Sequence, residues 1–206
     1  NSITWSKNIK STADYISQTA AIYPTIVAII DANLVVIYAQ FNADLEKFIL
    51  TARKFKLDVG QTVAVEWTKL YHHWLFLLAF ESLGITTISF TKGEASQYWE
   101  EYDDIDLALC ADQKSLIKAD QTVVITKDWL AAIFATIPAI PINNAPLDPN
   151  TVVRIHCSSG TTGTAKRMHR TAKMHEARLT QFQSAEDYTP KSRFLFHNSF
   201  SIHAVY

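Results

Sequence analysis

Residues 62–90 read TVAVEWTKLYHHWLFLLAFESLGITTISF, and the order of elements in this stretch decides the fold. Thr62–Glu66 is short and rich in Val, as suits a strand covered on both faces. From Lys69 to Leu83 the chain is aromatic-rich and long enough for a helix, and Gly84 is suited to end it. Ile85 to Phe90 is β-branched again and reads as another strand. A strand, a helix and a strand in that order predict a parallel pair joined by a right-handed crossover, the unit of α/β layer architectures.

The flanking sequence extends the pattern. Towards the N-terminus, Thr25–Ile30 and Leu34–Tyr38 read as strands split by a turn at Asp31-Ala32-Asn33. Asn42 is placed to cap a helix with Leu45, Phe48, Ile49, Ala52 and Phe55 on its buried stripe, Asp44 and Glu46 in its first turn, and an end near Gly60. Towards the C-terminus, Leu107–Cys110 and Thr122–Thr126 read as strands, and Asp128–Thr136 as a helix. Pro138, Pro141, Pro146 and Pro149 mark a connection. Val152–Cys157 is a further strand, Ser158–Lys166 a hydroxyl- and glycine-rich loop, Thr171–Ala185 a helix and Phe194–Phe196 a last short strand. The expected fold is α/β, with layered, largely parallel sheets flanked by helices. Its parts are a first α/β subdomain over 1–137, a Pro-rich linker over 138–150, and the start of a second α/β subdomain over 151–206.

Composition sets the outer bounds. The chain has 206 residues, 48% hydrophobic and 19% charged, which supplies a core and excludes general disorder. The longest apolar runs, Trp74–Phe80 and Trp129–Ala135, are seven residues each, whereas a bilayer span needs about 20. Two cysteines, Cys110 and Cys157, argue against a disulfide scaffold, and Asn1–Lys10 lacks the apolar core of a signal peptide. A cytoplasmic location is expected. The absence of an initial Met leads us to expect a piece of a longer product. Residues 1–150 carry a net charge of −6 and residues 151–206 a net of +5. Such a basic segment implies an anionic partner, and its limited extent favours a small phosphorylated molecule over nucleic acid.

Within that segment lies Ser158-Ser159-Gly160-Thr161-Thr162-Gly163-Thr164-Ala165-Lys166, holding two of the chain's five glycines. Glycines let backbone N–H groups approach a ligand closely, five hydroxyls can donate to phosphate oxygens, and Lys166 adds a positive charge. The helix near Thr171 would add its dipole if its N-terminus faced the same place. The loop follows a strand, and ligands of parallel sheets sit beyond the strands' carboxyl ends. Polyphosphate is the ligand these groups fit. The loop is not a Walker A motif, which needs Gly before the Lys and Ser or Thr after it, where this chain has Ala165 and Arg167.

The sequence Ile155-His156-Cys157 followed by Ser158–Lys166 resembles the AMP-binding signature of the adenylate-forming enzymes, the acyl-CoA synthetases, luciferases and peptide-synthetase adenylation domains. Ala165 stands where Pro is usual, Arg167 where Gly is frequent, and Thr171-Ala172 where Thr-His is frequent. Leu34–Phe55 is similar to the family's early strand, turn and helix, and Val59–Val65 to its Gly-Asp-x-Val-Ala-Ile stretch, with Gln61 replacing Asp. Phe196-His197 resembles the aromatic-His step bordering the acyl pocket.

The resemblance implies a chemistry. A small carboxylic acid attacks the α-phosphorus of ATP, giving acyl-AMP and pyrophosphate, with Mg²⁺ assisting, and a thiol then takes the acyl group. That thiol is coenzyme A or the phosphopantetheine of a carrier protein. Ser158, Ser159, Gly160, Thr161, Thr162, Gly163, Thr164 and Lys166 would bind the nucleotide, Lys166 would act catalytically on departing pyrophosphate, and His197 would line the substrate pocket. No metal-ligating residue is implied. The family's Tyr-Gly-x-Thr-Glu segment, ribose-binding Asp and mobile C-terminal domain do not occur in the sequence. The expectation is therefore an N-terminal portion, inactive alone, whose partner is the rest of the same enzyme. The alternative is a non-catalytic truncated relative that binds nucleotide or a protein.

Other polar groups read more simply. His72 and His73 read as packed helix residues, and His169, His175, His197 and His203 show no zinc spacing. The acidic turn of Glu100, Glu101, Asp103, Asp104 and Asp106 reads as solvated surface, and both cysteines as buried thiols. Arg167, Arg170 and Lys173 fit equally a solvated helix face or a phosphate contact.

Overall fold

A computed structural model describes residues 9–66, 69–90, 104–115, 117–138, 144–158, 166–185 and 192. Helix α1 spans Thr12–Ile22, strands β1 and β2 span Val27–Asp31 and Leu34–Ile37, and α2 spans Tyr38–Arg53. Next come β3 (Thr62–Glu66), α3 (Leu70–Glu81), β4 (Thr86–Phe90), β5 (Leu107–Cys110) and β6 (Gln121–Val124). Helix α4 covers Lys127–Ala135, β7 Val152–Ser158, β8 Lys166–Thr171 and α5 Ala172–Ala185.

Strands β1 and β2 form an antiparallel hairpin, and the others a six-stranded sheet in the order β6-β5-β3-β4-β7-β8. All neighbours are parallel except β7 and β8. The expected α/β class and largely parallel pairing are present. Val63 lies opposite both Thr87 and Leu107, which puts β3 at the centre. Alternation along the strands then sorts the faces. Val63, Val65, Leu107 and Leu109 join the core built with α2, α3 and α4, while Ala64, Ile88, Ala108 and Ile155 join a second cluster on the opposite face.

Helix α3 buries Tyr71, Leu75, Phe76, Leu77, Leu78, Ala79 and Phe80, so residues all around its axis are covered. That explains its lack of a polar face. Phe76 stacks on Trp129 of α4 at 5.7 Å and meets Phe48 of α2 edge-on at 4.7 Å. Among the described residues no helix is long and apolar enough to cross a membrane.

Several expectations are corrected. Helix α2 starts at Tyr38, before Asn42, and ends at Arg53 rather than near Gly60. Its first N–H groups need no side-chain cap, because Tyr38 N donates to Ile26 O and Ala39 N to Pro24 O. Asn42 lies inside the helix and donates to Glu46 Oε1. Asp44 is in the second turn and buried, accepting from Tyr71 Oη at 2.9 Å. Helix α1 was not expected, although Ser11 and Asp14 form a capping box that marks its start. A strand, β8, occupies the stretch between the hydroxyl-rich loop and α5. Apart from these corrections, β7 pairs with β4. The expected strand at Phe194–Phe196 lies outside the described residues.

The α3–β4 turn depends on Gly84, which has φ +75° and whose added Cβ would meet both Val59 methyls at 3.3 Å. Gly84→Ala should lower stability by about 1–2 kcal/mol through the left-handed backbone alone. Gly60→Ala, at φ +92° but in open space, should cost less. Urea denaturation of the two variants checks the order, and equal losses would remove the role given to Val59.

Candidate functional site

Strand β7 runs parallel to β4 and ends at Ser158, so the start of the hydroxyl-rich stretch is at the carboxyl end of a parallel strand. Ser158 and Lys166 are direct partners across the antiparallel β7–β8 pair. The two ends of the loop are therefore separated by about 5 Å. Ser159, Gly160, Thr161, Thr162, Gly163, Thr164 and His197 lie outside the described residues.

The expected helix dipole is not at this end. Ala172 N, the first amide of α5, donates to Thr151 O, and Lys173 N to Pro149 O. Both contacts are at the amino end of β7. A strand of seven residues spans about 20 Å, so the N-terminus of α5 is at the far end of β7 from the loop. Arg167 and Arg170 are strand residues instead of part of a solvated helix face. Arg167 Nη1 donates to Asp104 Oδ1 at 3.2 Å, and Lys173 Nζ, on α5, to Asn150 Oδ1 at 2.9 Å. The acidic turn is less free than expected, since Asp106 accepts from Gln61 Nε2 and from Thr62 N.

Behind the loop a set of buried polar residues lines the sheet face that α3 covers. Thr87 and Ser89 alternate on β4, Arg154 and His156 on β7, and all four are buried. Thr87 stands opposite Arg154. On α3, His73 and Glu81 lie two turns apart and face these strands. Ser89 Oγ and His73 Nε2 are 2.9 Å apart, nearer the carboxyl end of the sheet. Nearer the amino end, Arg154 pairs with Glu81, and Thr87 Oγ1 donates to Glu81 Oε1 at 2.7 Å. Burial pushes the Glu81 carboxyl up, while the Arg154 guanidinium and the Thr87 hydroxyl pull it back.

These residues escaped the sequence reading. The available signal was Val152-Val153-Arg154-Ile155-His156-Cys157, in which cation and imidazole occupy alternate positions of an otherwise apolar strand. His73 is a packed residue as expected, and His72 packs against Phe134 at 5.3 Å with its pKa lowered, chiefly by burial. Cys110 is a buried thiol whose pKa burial raises. Among the described residues no three His, Cys, Asp or Glu side chains could hold a metal ion.

No family model matches the sequence, and no curated protein matches it. Solved structures do share its fold. The N-terminal subdomain of Klebsiella oxytoca NpsA superposes with TM-score 0.67 at 16% identity, over 81% of this chain and 43% of that one. VinN, solved with L-aspartate, gives TM-score 0.69 at 13% identity over 88% and 54%. Bacillus subtilis O-succinylbenzoate coenzyme A synthetase, MenE, solved with AMP, gives 0.67 at 17% over 85% and 46%. The chain thus shares the fold of the NpsA N-terminal subdomain and of part of VinN and MenE, and spans about half the length of these chains.

His175 on α5 supplies a pH-dependent check on this architecture. Burial, then the charges of Arg154, Arg170 and Arg178, lower its pKa from 6.5 to about 3. Above pH 6.5 the imidazole is neutral in both folded and unfolded chains. Between pH 6.5 and about 3 the unfolded chain takes up a proton that the folded one refuses, so stability falls as pH falls. The loss is at most about 1.4 kcal/mol per pH unit. Urea midpoints across that window should show a shallower decline for His175→Gln than for the wild type. Parallel profiles would remove His175 as the cause.

Proposed function

We propose that this chain is the N-terminal part of an ATP-dependent ligase that activates a carboxylic acid as its acyl-adenylate. The observation that supports the reading is that Ser158 and Lys166, the two ends of the signature's loop, are paired at the carboxyl end of β7, a strand parallel to β4. The fold likeness to NpsA, VinN and MenE supports it, as do the AMP in the MenE structure and the 3-hydroxyanthranilyl-AMSN in an NpsA structure. An NpsA adenylation domain fused to a carrier-protein domain supports a carrier-bound thiol as acceptor, and the MenE name supports coenzyme A.

In this reading the acid's carboxylate oxygen bonds to the α-phosphorus of ATP, and the bond from that phosphorus to pyrophosphate breaks. The thiol sulfur then bonds to the acyl carbon, and AMP leaves. The loop's N–H groups and hydroxyls hold the β- and γ-phosphates, and Lys166 stabilises the charge that collects on pyrophosphate. Mg²⁺ would accompany the triphosphate and help to offset its charge. His197 is assigned to the acyl pocket, and residues 138–150 to a linker between subdomains. Adenylation by the isolated chain is not expected, because the remaining half of the family's machinery supplies the adenine and ribose contacts.

ATP titration by calorimetry tests the phosphate loop. Lys166→Ala should weaken binding about ten- to a hundredfold, the worth of one charged contact, while leaving the melting temperature unchanged. A large fall in melting temperature at unchanged ATP affinity would make Lys166 structural. Carboxylate-dependent ATP–pyrophosphate exchange by the complete polypeptide tests the reaction, and its absence across a broad panel of acids would count for the non-catalytic alternative.

A further inference from the structure

The early part of the chain is fastened to its later part at two points. Ile9 N donates to Leu147 O at 3.1 Å, and Leu147 N donates back to Ile9 O at 3.0 Å. The Ile9 side chain is buried in a cluster with Leu147, Val153 of β7 and Ala172, the first residue of α5. Farther along, Tyr15 Oη on α1 donates to Glu176 Oε1 on α5 at 3.2 Å. Burial and the Glu176 carboxylate raise the Tyr15 pKa, so the phenol stays a donor into alkaline solution. Another side of α1 is buried elsewhere, since Ala13 and Ile16 join the core that holds Phe41, Leu45 and Phe48 of α2. Neighbouring positions on a helix point about 100° apart. Tyr15 and Ile16 therefore put α5 on one side of α1 and α2 on another.

We infer that residues 9–22 form a strap that holds α5 against the body of the protein. The inference goes beyond the proposed function and does not depend on it. Helix α5 has little with which to secure itself. Ala172, small and at its very start, is buried, while Met174, Leu179 and Thr180 are exposed. The first two amides of α5 are held by Thr151 O and Pro149 O. The strap adds a hold at Ala172 from Ile9 and another one turn on, at Glu176, from Tyr15. A helix of this kind takes its stability from what packs on it, more than from its own propensity. Segments with few buried contacts open at lower free energy than the core does. When α5 opens in that way it gives up its contacts with the strap, whereas the packing among α2, α3 and α4 stays whole. What is lost on opening therefore separates the strap from the core.

The experiment measures hydrogen exchange of amides 176–185, together with urea midpoints, in the wild-type chain and three variants. Ile9→Ala and Tyr15→Phe weaken the strap. Ile133→Val, at a buried position of α4 within the core, weakens the body of the protein instead. Ile9→Ala should speed exchange in α5 about a hundredfold, as expected for truncating a buried isoleucine. Tyr15→Phe should speed it about threefold, the worth of one hydrogen bond. Ile133→Val should lower the urea midpoint and leave exchange in α5 at the wild-type rate. Wild-type exchange of α5 in Ile9→Ala would overturn the inference. So would faster exchange of α5 in Ile133→Val, because α5 would then open only with the whole molecule. Should Ile9→Ala fail to fold, Tyr15→Phe decides, and wild-type exchange there overturns the inference.

Discussion

Burying β3 on both faces removes water from every peptide group between Thr62 and Glu66, and each must find its partner within the sheet. Two parallel neighbours in register meet that demand, β4 on one side and β5 on the other. A parallel neighbour requires a crossover, and α3 makes the one to β4. Because α3 is pressed between the sheet and α2, it must be apolar around most of its girth, as its run of Leu and Phe is. Where it departs from that, at His73 and Glu81, a polar partner waits on the strands below. The polar residues are therefore satisfied parts of the core.

The same constraint explains which elements were readable in the chain. Strands β3 and β5 match their expected limits, since a fully covered parallel strand is a short apolar run with clear borders. Helix α2 began earlier than Asn42 indicated because its free N–H groups are taken by carbonyls at Pro24 and Ile26, a tertiary solution that no local cap announces. Strand β8 reads Lys-Arg-Met-His-Arg-Thr and has no apolar alternation of its own. Its conformation comes from pairing with β7, which a sequence read segment by segment does not display. Helix α1 had a legible signal in Ser11 and Asp14, and attention to capping would have found it.

The candidate site was legible in a different way. Its loop is defined by backbone freedom and hydroxyl chemistry, which are properties of residue type, so Ser158–Lys166 could be singled out before any geometry was known. The buried ion pair on the same strand could not. That Arg154 reaches Glu81, far away in the chain, depends on the strand order, and only the sheet as assembled brings the two together. The misplaced helix dipole has the same origin, since the hairpin turns the chain back before α5 begins.

The strand order also bears on synthesis. Strand β4 sits between β3 and β7 in space, yet β5, β6 and α4 all leave the ribosome before β7 does. For that interval the nascent sheet keeps one flank open. On that border Thr87 and Ser89 meet Glu81 and His73 of α3, which precedes β4 in the chain, whereas Thr86 finds Val152 O only when β7 arrives. An open edge of this kind is a template for pairing with stray chains, and among the described strands it is β7 that covers it.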